Sequence, residues 1–131
     1  MSEVSNSTPY REVGPNGRLR EPAVFDRDRK TAILIHVFVI IGAVSFGVAL
    51  VVPLILWLIY RDGSVFIDDH GREALNFVLS MFLYTFILSI SIVGLPLAWV
   101  PGVLMIFLPI RSAMAASARE YIRYPMTLRL L

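Results

Sequence analysis

The sequence predicts an all-α fold: a polytopic membrane helical bundle of two helical hairpins, with four hydrophobic segments, the first two short, and both termini cytoplasmic. Three observations predict it. Residues 31–60 and 74–110 form blocks of 30 and 37 residues without a formal charge, and every charged residue lies outside them. Each block is interrupted by residues that oppose a continuous helix: Gly42-Ala43-Val44-Ser45-Phe46-Gly47 in the first, Gly94-Leu95-Pro96 and Pro101-Gly102 in the second. Neither interruption contains a Lys or Arg, so two hairpins place every basic residue on one face of the membrane.

Composition excludes the common alternatives. Hydrophobic residues make up 56% of the 131 and charged residues 17%, with a mean hydropathy of +0.70. Soluble domains run at roughly 45–50% and about 25%. A water-soluble core holding both blocks would leave too little polar material to cover it, which argues against a soluble enzyme. The net charge of +2 arises from scattered arginines rather than a basic stripe with interleaved aromatics, so no nucleic-acid partner is expected. With no cysteine there is no disulfide, thiolate metal site or cysteine nucleophile, and nothing follows about redox compartment.

In chain order, residues 1–25 read as a flexible polar tail with a break at Gly14-Pro15-Asn16-Gly17. Thirty mostly polar residues precede the first apolar run, so no cleaved signal is expected. Asp26-Arg27-Asp28-Arg29-Lys30 forms a solvated collar and opens a membrane domain spanning 26–131, with segments at about 31–44, 47–60, 74–93 and 98–118.

As one helix the first block would be about 45 Å long, against a hydrocarbon thickness of roughly 30 Å. As two arms it gives segments of about 21 Å, nearer to re-entrant than to full spans. Charge decides for the arms. Lys and Arg number six in residues 1–30, two in 61–73 and four in 111–131, and a single long helix would translocate the last four. Trp57, Tyr60, Trp99, Tyr121 and Tyr124 fall where interfacial anchors are expected.

Several polar residues need their own account. Asp68 or Asp69 is expected to cap the third segment, where its charge suits the positive helix end. His70 and Glu73 have the spacing to share a face with an Asp around a metal, but no HExxH-like pattern surrounds them and capping is the reading taken. Glu73, Asn76, Ser80, Tyr84, Ile87 and Ser91 recur at three- and four-residue spacing and form one stripe. In lipid such a stripe turns toward other helices, as interhelical glue or as the lining of a path.

Arg111 is placed either to snorkel to the headgroups or to contact Ser80, Asn76 or Glu73. His36 reads as a packing histidine that could bond Asn76. Ala43 with Gly47, and Ala113 with Ser117, have the spacing that lets helices approach closely. Pro125 ends any helix, and the alternation after it suggests an extended or interfacial tail.

Certain stretches form a recognisable pattern. Ile35-His36 opens the first arm, and Pro53-Leu54-Ile55-Leu56-Trp57-Leu58-Ile59 precedes a charged turn. Asp68-Asp69-His70-Gly71-Arg72-Glu73-Ala74-Leu75-Asn76-Phe77 and Tyr121-Ile122-Arg123-Tyr124-Pro125 follow. Over about residues 26–131 the chain resembles the small bacterial membrane proteins of a Tic-twenty-like family, related to the chloroplast inner-envelope import component. The resemblance implies four hydrophobic segments and, in the chloroplast relatives, protein translocation. Arg111 stands where that pattern carries an apolar or small residue.

The function expected from these readings is non-enzymatic: an integral protein of the cytoplasmic membrane, in bacteria, that packs or oligomerises within a membrane complex. Its partners are the bilayer and other copies or other membrane proteins. The alternative is a minimal channel or carrier formed by an oligomer and lined by Asn76, Ser80, Tyr84 and Arg111. An intramembrane enzyme ranks last, because no nucleophile–base pair, metal motif or second buried carboxylate is present, and no cofactor is expected.

Overall fold

The structure, a computed structural model, describes residues 11–131. The first ten residues of the expected tail lie outside the described residues.

Two short strands, β1 (Glu12–Val13) and β2 (Leu19–Arg20), pair antiparallel across the Gly14–Gly17 turn. Four helices follow: α1 (Asp26–Val44), α2 (Val51–Tyr60), α3 (Val65–Ile90) and α4 (Val100–Ser117). Single 3-10 turns at Val48–Leu50, Arg61–Gly63 and Leu95–Leu97 join them. The first expected interruption holds the turn after α1; of the second, Gly94-Leu95-Pro96 lies in the turn before α4, whereas Pro101 and Gly102 belong to the first turn of α4 itself, where a proline without its N–H is tolerated. At the first, Phe46 and Gly47 take positive φ, and the Gly47 N–H donates to the Gly42 carbonyl at 2.8 Å, a six-residue closure that satisfies a helix-end carbonyl. A Cβ at Gly42 would lie 2.3 Å from Leu50 Cδ2, so the close approach of this hairpin requires glycine at 42 rather than at 47 alone.

Three boundaries differ from expectation. Residues 11–24 are a folded hairpin rather than a free tail, because β2 bridges to Glu120 and Val24 is buried with Ala32, Phe66, Ala116 and Tyr121. The charged collar is the first turn of α1, with Asp26 and Asp28 at the positive end of the helix dipole. Helix α3 starts nine residues before the apolar block. Ser64 caps it by accepting from the Ile67 N–H at 3.3 Å, and Asp68 pairs with Arg72 one turn on. A charge-free block therefore marks the lipid-compatible part of a helix and not its ends.

Residues 65–90 and 95–117 are long and apolar enough to cross a membrane, and α2, at ten residues, is not. The main core gathers Ile35, Val39, Ile67, Phe77, Met81 and Met105 between α1, α3 and α4. Burial along α3 is uneven. In α3 the last buried residue is Met81, and none from Phe82 to Ile90 is buried.

Candidate functional site

The polar stripe of α3 is assembled from Glu73 to Tyr84, while Ser91 lies beyond the end of the helix. The stripe holds the chain's own C-terminal segment. Glu73, Asn76 and Ser80 are buried. Glu73 Oε1 accepts from the Tyr124 backbone N–H at 2.6 Å and from the Arg129 guanidinium at 3.3 Å. Tyr84 donates its hydroxyl to the Met126 carbonyl at 2.7 Å. Ser80 Oγ accepts from the Leu128 N–H at 2.7 Å and donates to the Asn76 carbonyl at 2.7 Å. Asn76 Oδ1 accepts from the Leu130 and Leu131 N–H groups at 3.0 and 2.8 Å.

The segment thus runs along α3 from Glu73 to Tyr84, about 16 Å, turns at Met126 and returns to Asn76. Met126 takes φ +58° at that turn. Nearly every bond is to main chain. An extended backbone beside an apolar helix needs such partners, since an unmet amide in a low-dielectric setting costs several kcal/mol.

At the other end of the stripe two histidines clamp the same segment. Both rings are fully buried. His36 Nδ1 lies 2.8 Å from the Tyr124 hydroxyl, His36 Nε2 lies 2.9 Å from His70 Nδ1, and His70 Nε2 lies 2.9 Å from the Glu120 carbonyl. The carbonyl only accepts, so His70 carries its proton on Nε2 and offers a lone pair at Nδ1. His36 must then donate from Nε2, and its Nδ1 accepts from the tyrosine. All protons in the chain Tyr124–His36–His70–Glu120 therefore point one way, with both rings neutral. His36 bonds no part of Asn76.

The remaining motif residues tie the segment down from outside. Asp69 accepts both Arg123 guanidinium nitrogens at 2.7 Å, and this bidentate pair raises the Arg123 pKa. Asp68 accepts from Trp57 Nε1 at 2.9 Å and from Arg72. Neither aspartate caps α3, because the helix begins before them at Ser64. Gly71 sits under the Trp57 indole, where a Cβ would lie 2.3 Å from Cδ1. Phe77 stacks on the Tyr124 ring at 4.2 Å between centroids, and Pro125 opens the turn.

Tyr121 donates to the buried Glu21. Burial, first, and that bond raise its pKa, and burial raises that of Tyr124. Trp57, Tyr121 and Tyr124, placed at the interface from sequence, are core residues instead, each 8% exposed or less. Trp99 and Tyr60 retain exposure.

Arg111 stands apart from the stripe. It is exposed on α4 and forms no hydrogen bond or ion pair among the described residues; Ser112 is the buried neighbour. No group of three His, Asp or Glu side chains able to hold a metal forms among the described residues. His70, the candidate ligand with Glu73, has both ring nitrogens engaged.

Sequence reasoning missed the histidine pairing and the burial of Tyr124. The only signals for them were the two histidines on apolar faces and the aromatic pair after α4.

Residues 27–131 match the model of the magnetosome magnetite crystal formation protein family. No curated protein and no solved structure matches the chain. The family match overturns the resemblance to the Tic-twenty-like import-related family. The stretches that carried most of it, 68–77 and 121–125, are those that pack against and dock the C-terminal segment. A pattern imposed by these folding needs does not separate one family of small membrane bundles from another.

Proposed function

The chain belongs to the magnetosome magnetite crystal formation protein family, and we propose that it is a non-enzymatic membrane component of magnetite crystal formation, packing or oligomerising within a membrane complex. One observation carries this reading: the polar side chains of α3 inside the bundle, with His36, are consumed in holding the protein's own C-terminal segment. Glu73, Asn76, Ser80, Tyr84, His36 and His70 bond to the segment or to each other. Among the described residues no nucleophile–base pair opens onto a cleft. The same occupancy weighs against the channel reading, whose lining would be these residues.

In this proposal the two long apolar helices span the membrane, with both termini and the 61–64 turn on one face and the 91–99 turn on the other. The charge-free turns support that arrangement. The topology is tested with single cysteines, since the chain has none. Asp62→Cys and Val93→Cys are expected to react with an impermeant thiol reagent from opposite faces. The role is tested by removing the protein from magnetite-producing cells and measuring crystals by electron microscopy. Altered crystal size or number is expected; unchanged crystals would sink the proposal.

A further inference from the structure

The two hairpins end at different depths. The tip of the first, Phe46-Gly47, meets α3 at Phe82 and Thr85 and α4 at Gly102 and Met105, which together line one cleft. A Cβ on Gly47 would lie 3.9 Å from the Phe82 ring. Helix α3 continues to Ile90, and the second tip occupies residues 91–99. Seven residues on average separate the level of the first tip from the end of α3, a step of roughly 10 Å.

Beyond the step the described residues are only two helices wide, and their surface there is apolar and mostly exposed. Phe86, Ile90, Ile92, Val93, Leu95 and Trp99 are all exposed. On the near side of the step, four helices, the docked C-terminal segment and the β1–β2 hairpin pack together, and every charge among the described residues is found there. A helix with its side chains is about 10–12 Å across, so the two extra helices alone add roughly 200 Å² of cross-section to one half.

We propose that the protein is a membrane wedge: it occupies more area in the leaflet next to its charged end and so favours bilayers in which that leaflet is convex. This rests on the membrane reading given above. The partner is a lipid surface of defined curvature. Because the first tip is uncharged and lies short of the second, it sits within the hydrocarbon, and lipid of the opposite leaflet fills the space beneath it. A protein of this shape placed in a small vesicle is better accommodated with its charged end outward than inward.

The test uses the full chain in dioleoyl phosphatidylcholine vesicles. With an impermeant thiol reagent added to either side, Asp62→Cys and Val93→Cys are expected to label from opposite faces, and Phe46→Cys from neither. Protein carrying Asp62→Cys is then reconstituted into vesicles of about 15 nm and about 100 nm radius, and the outward-facing fraction is read by labelling. An outward-to-inward ratio at least threefold higher in the small vesicles is expected.

Equal ratios at both sizes overturn the wedge, as does labelling of Phe46→Cys from the Val93 side. Failure of Asp62→Cys and Val93→Cys to label from opposite faces overturns the membrane reading itself, and the wedge with it. Lengthening both arms of the first hairpin by about seven apolar residues, two helical turns, fills the step and is expected to bring the ratios together. A lengthened protein that folds and keeps the bias overturns the proposal. If it does not fold, the comparison of vesicle sizes decides alone.

Discussion

His36 Nε2 donates to His70 Nδ1 across 2.9 Å, and the two rings meet edge to face with centroids 5.1 Å apart. The pair joins α1 to α3, and its outer nitrogens reach Tyr124 and the Glu120 carbonyl, so one unbranched chain of hydrogen bonds fastens the C-terminal segment at two points. Removing one ring leaves buried partners unmet at both of its edges. His70→Ala is expected to cost about 2–4 kcal/mol, two buried hydrogen bonds and a small cavity. The check is limited trypsin digestion in detergent micelles: cleavage after Arg119 and Arg123 should accelerate well before the helices melt. Cleavage rates equal to those of the parent protein would contradict the clamp.

Asn76 Oδ1 accepts two backbone N–H groups at the far end of the segment. Asn76→Leu keeps the volume and the helix but leaves both donors without their acceptor, at a cost of about 1–3 kcal/mol. Hydrogen exchange at Leu130 and Leu131 is expected to rise at least tenfold while exchange in the middle of α3 stays constant. Unchanged protection there would mean that the amide does not hold the segment.

Gly71 lies directly beneath Trp57. Alanine is ordinarily the better helix residue by about 1 kcal/mol, so a gain would be expected from propensity alone. Here the added methyl collides with the indole, and Gly71→Ala is expected to lower stability by about 1–3 kcal/mol. With Trp99→Phe as background, Trp57 emission should shift to the red as the ring leaves its slot and loses Asp68. A stabilised variant with unshifted emission would contradict the close approach.

Tyr121 and Tyr124 have raised pKa values, chiefly from burial. The fold therefore prefers their neutral forms. The stability this contributes is fully present below the ordinary tyrosine value of 10.0 and is lost as pH rises beyond it, because the unfolded chain then releases protons that the folded chain retains. In an alkaline titration followed at the phenolate absorbance band, the signal from these two residues should appear only together with loss of helical circular dichroism. Tyr121→Phe and Tyr124→Phe should leave the signal before that transition unchanged. A reduced early signal in either variant would show that its phenol titrates in the folded protein.

The readable parts of this sequence are those set by local chemistry. The turns at Gly42–Gly47 and Gly94–Pro96 follow from Gly and Pro, and the face shared by Glu73, Asn76, Ser80 and Tyr84 follows from helical periodicity. What that face binds was not readable. A stripe that recognises main-chain atoms places little demand on the side chains of its partner, so Tyr124–Leu131 carries only weak marks of where it docks. Helix limits were misjudged for a related reason. Charges near Asp68 signalled the end of lipid-compatible surface, while the helix itself was decided by the Ser64 hydroxyl. Tyr121 and Tyr124 show the ambiguity of aromatic rings next to a polar boundary, where interfacial anchors and core residues have the same spacing.

The segment that satisfies α3 is made after both α3 and α4. When α3 leaves the ribosome, the carboxylate of Glu73, the amide of Asn76 and the hydroxyl of Ser80 precede their partners by some fifty residues. Through the whole synthesis of α4 that face has no intramolecular acceptor or donor from the C-terminal segment. Biogenesis is therefore ordered: α3 is either shielded by the insertion machinery or held near water until residues 124–131 arrive. Truncations that remove residues 124–131 should act as defects of delivery and turnover, visible as low abundance before any defect of the assembled protein can be seen.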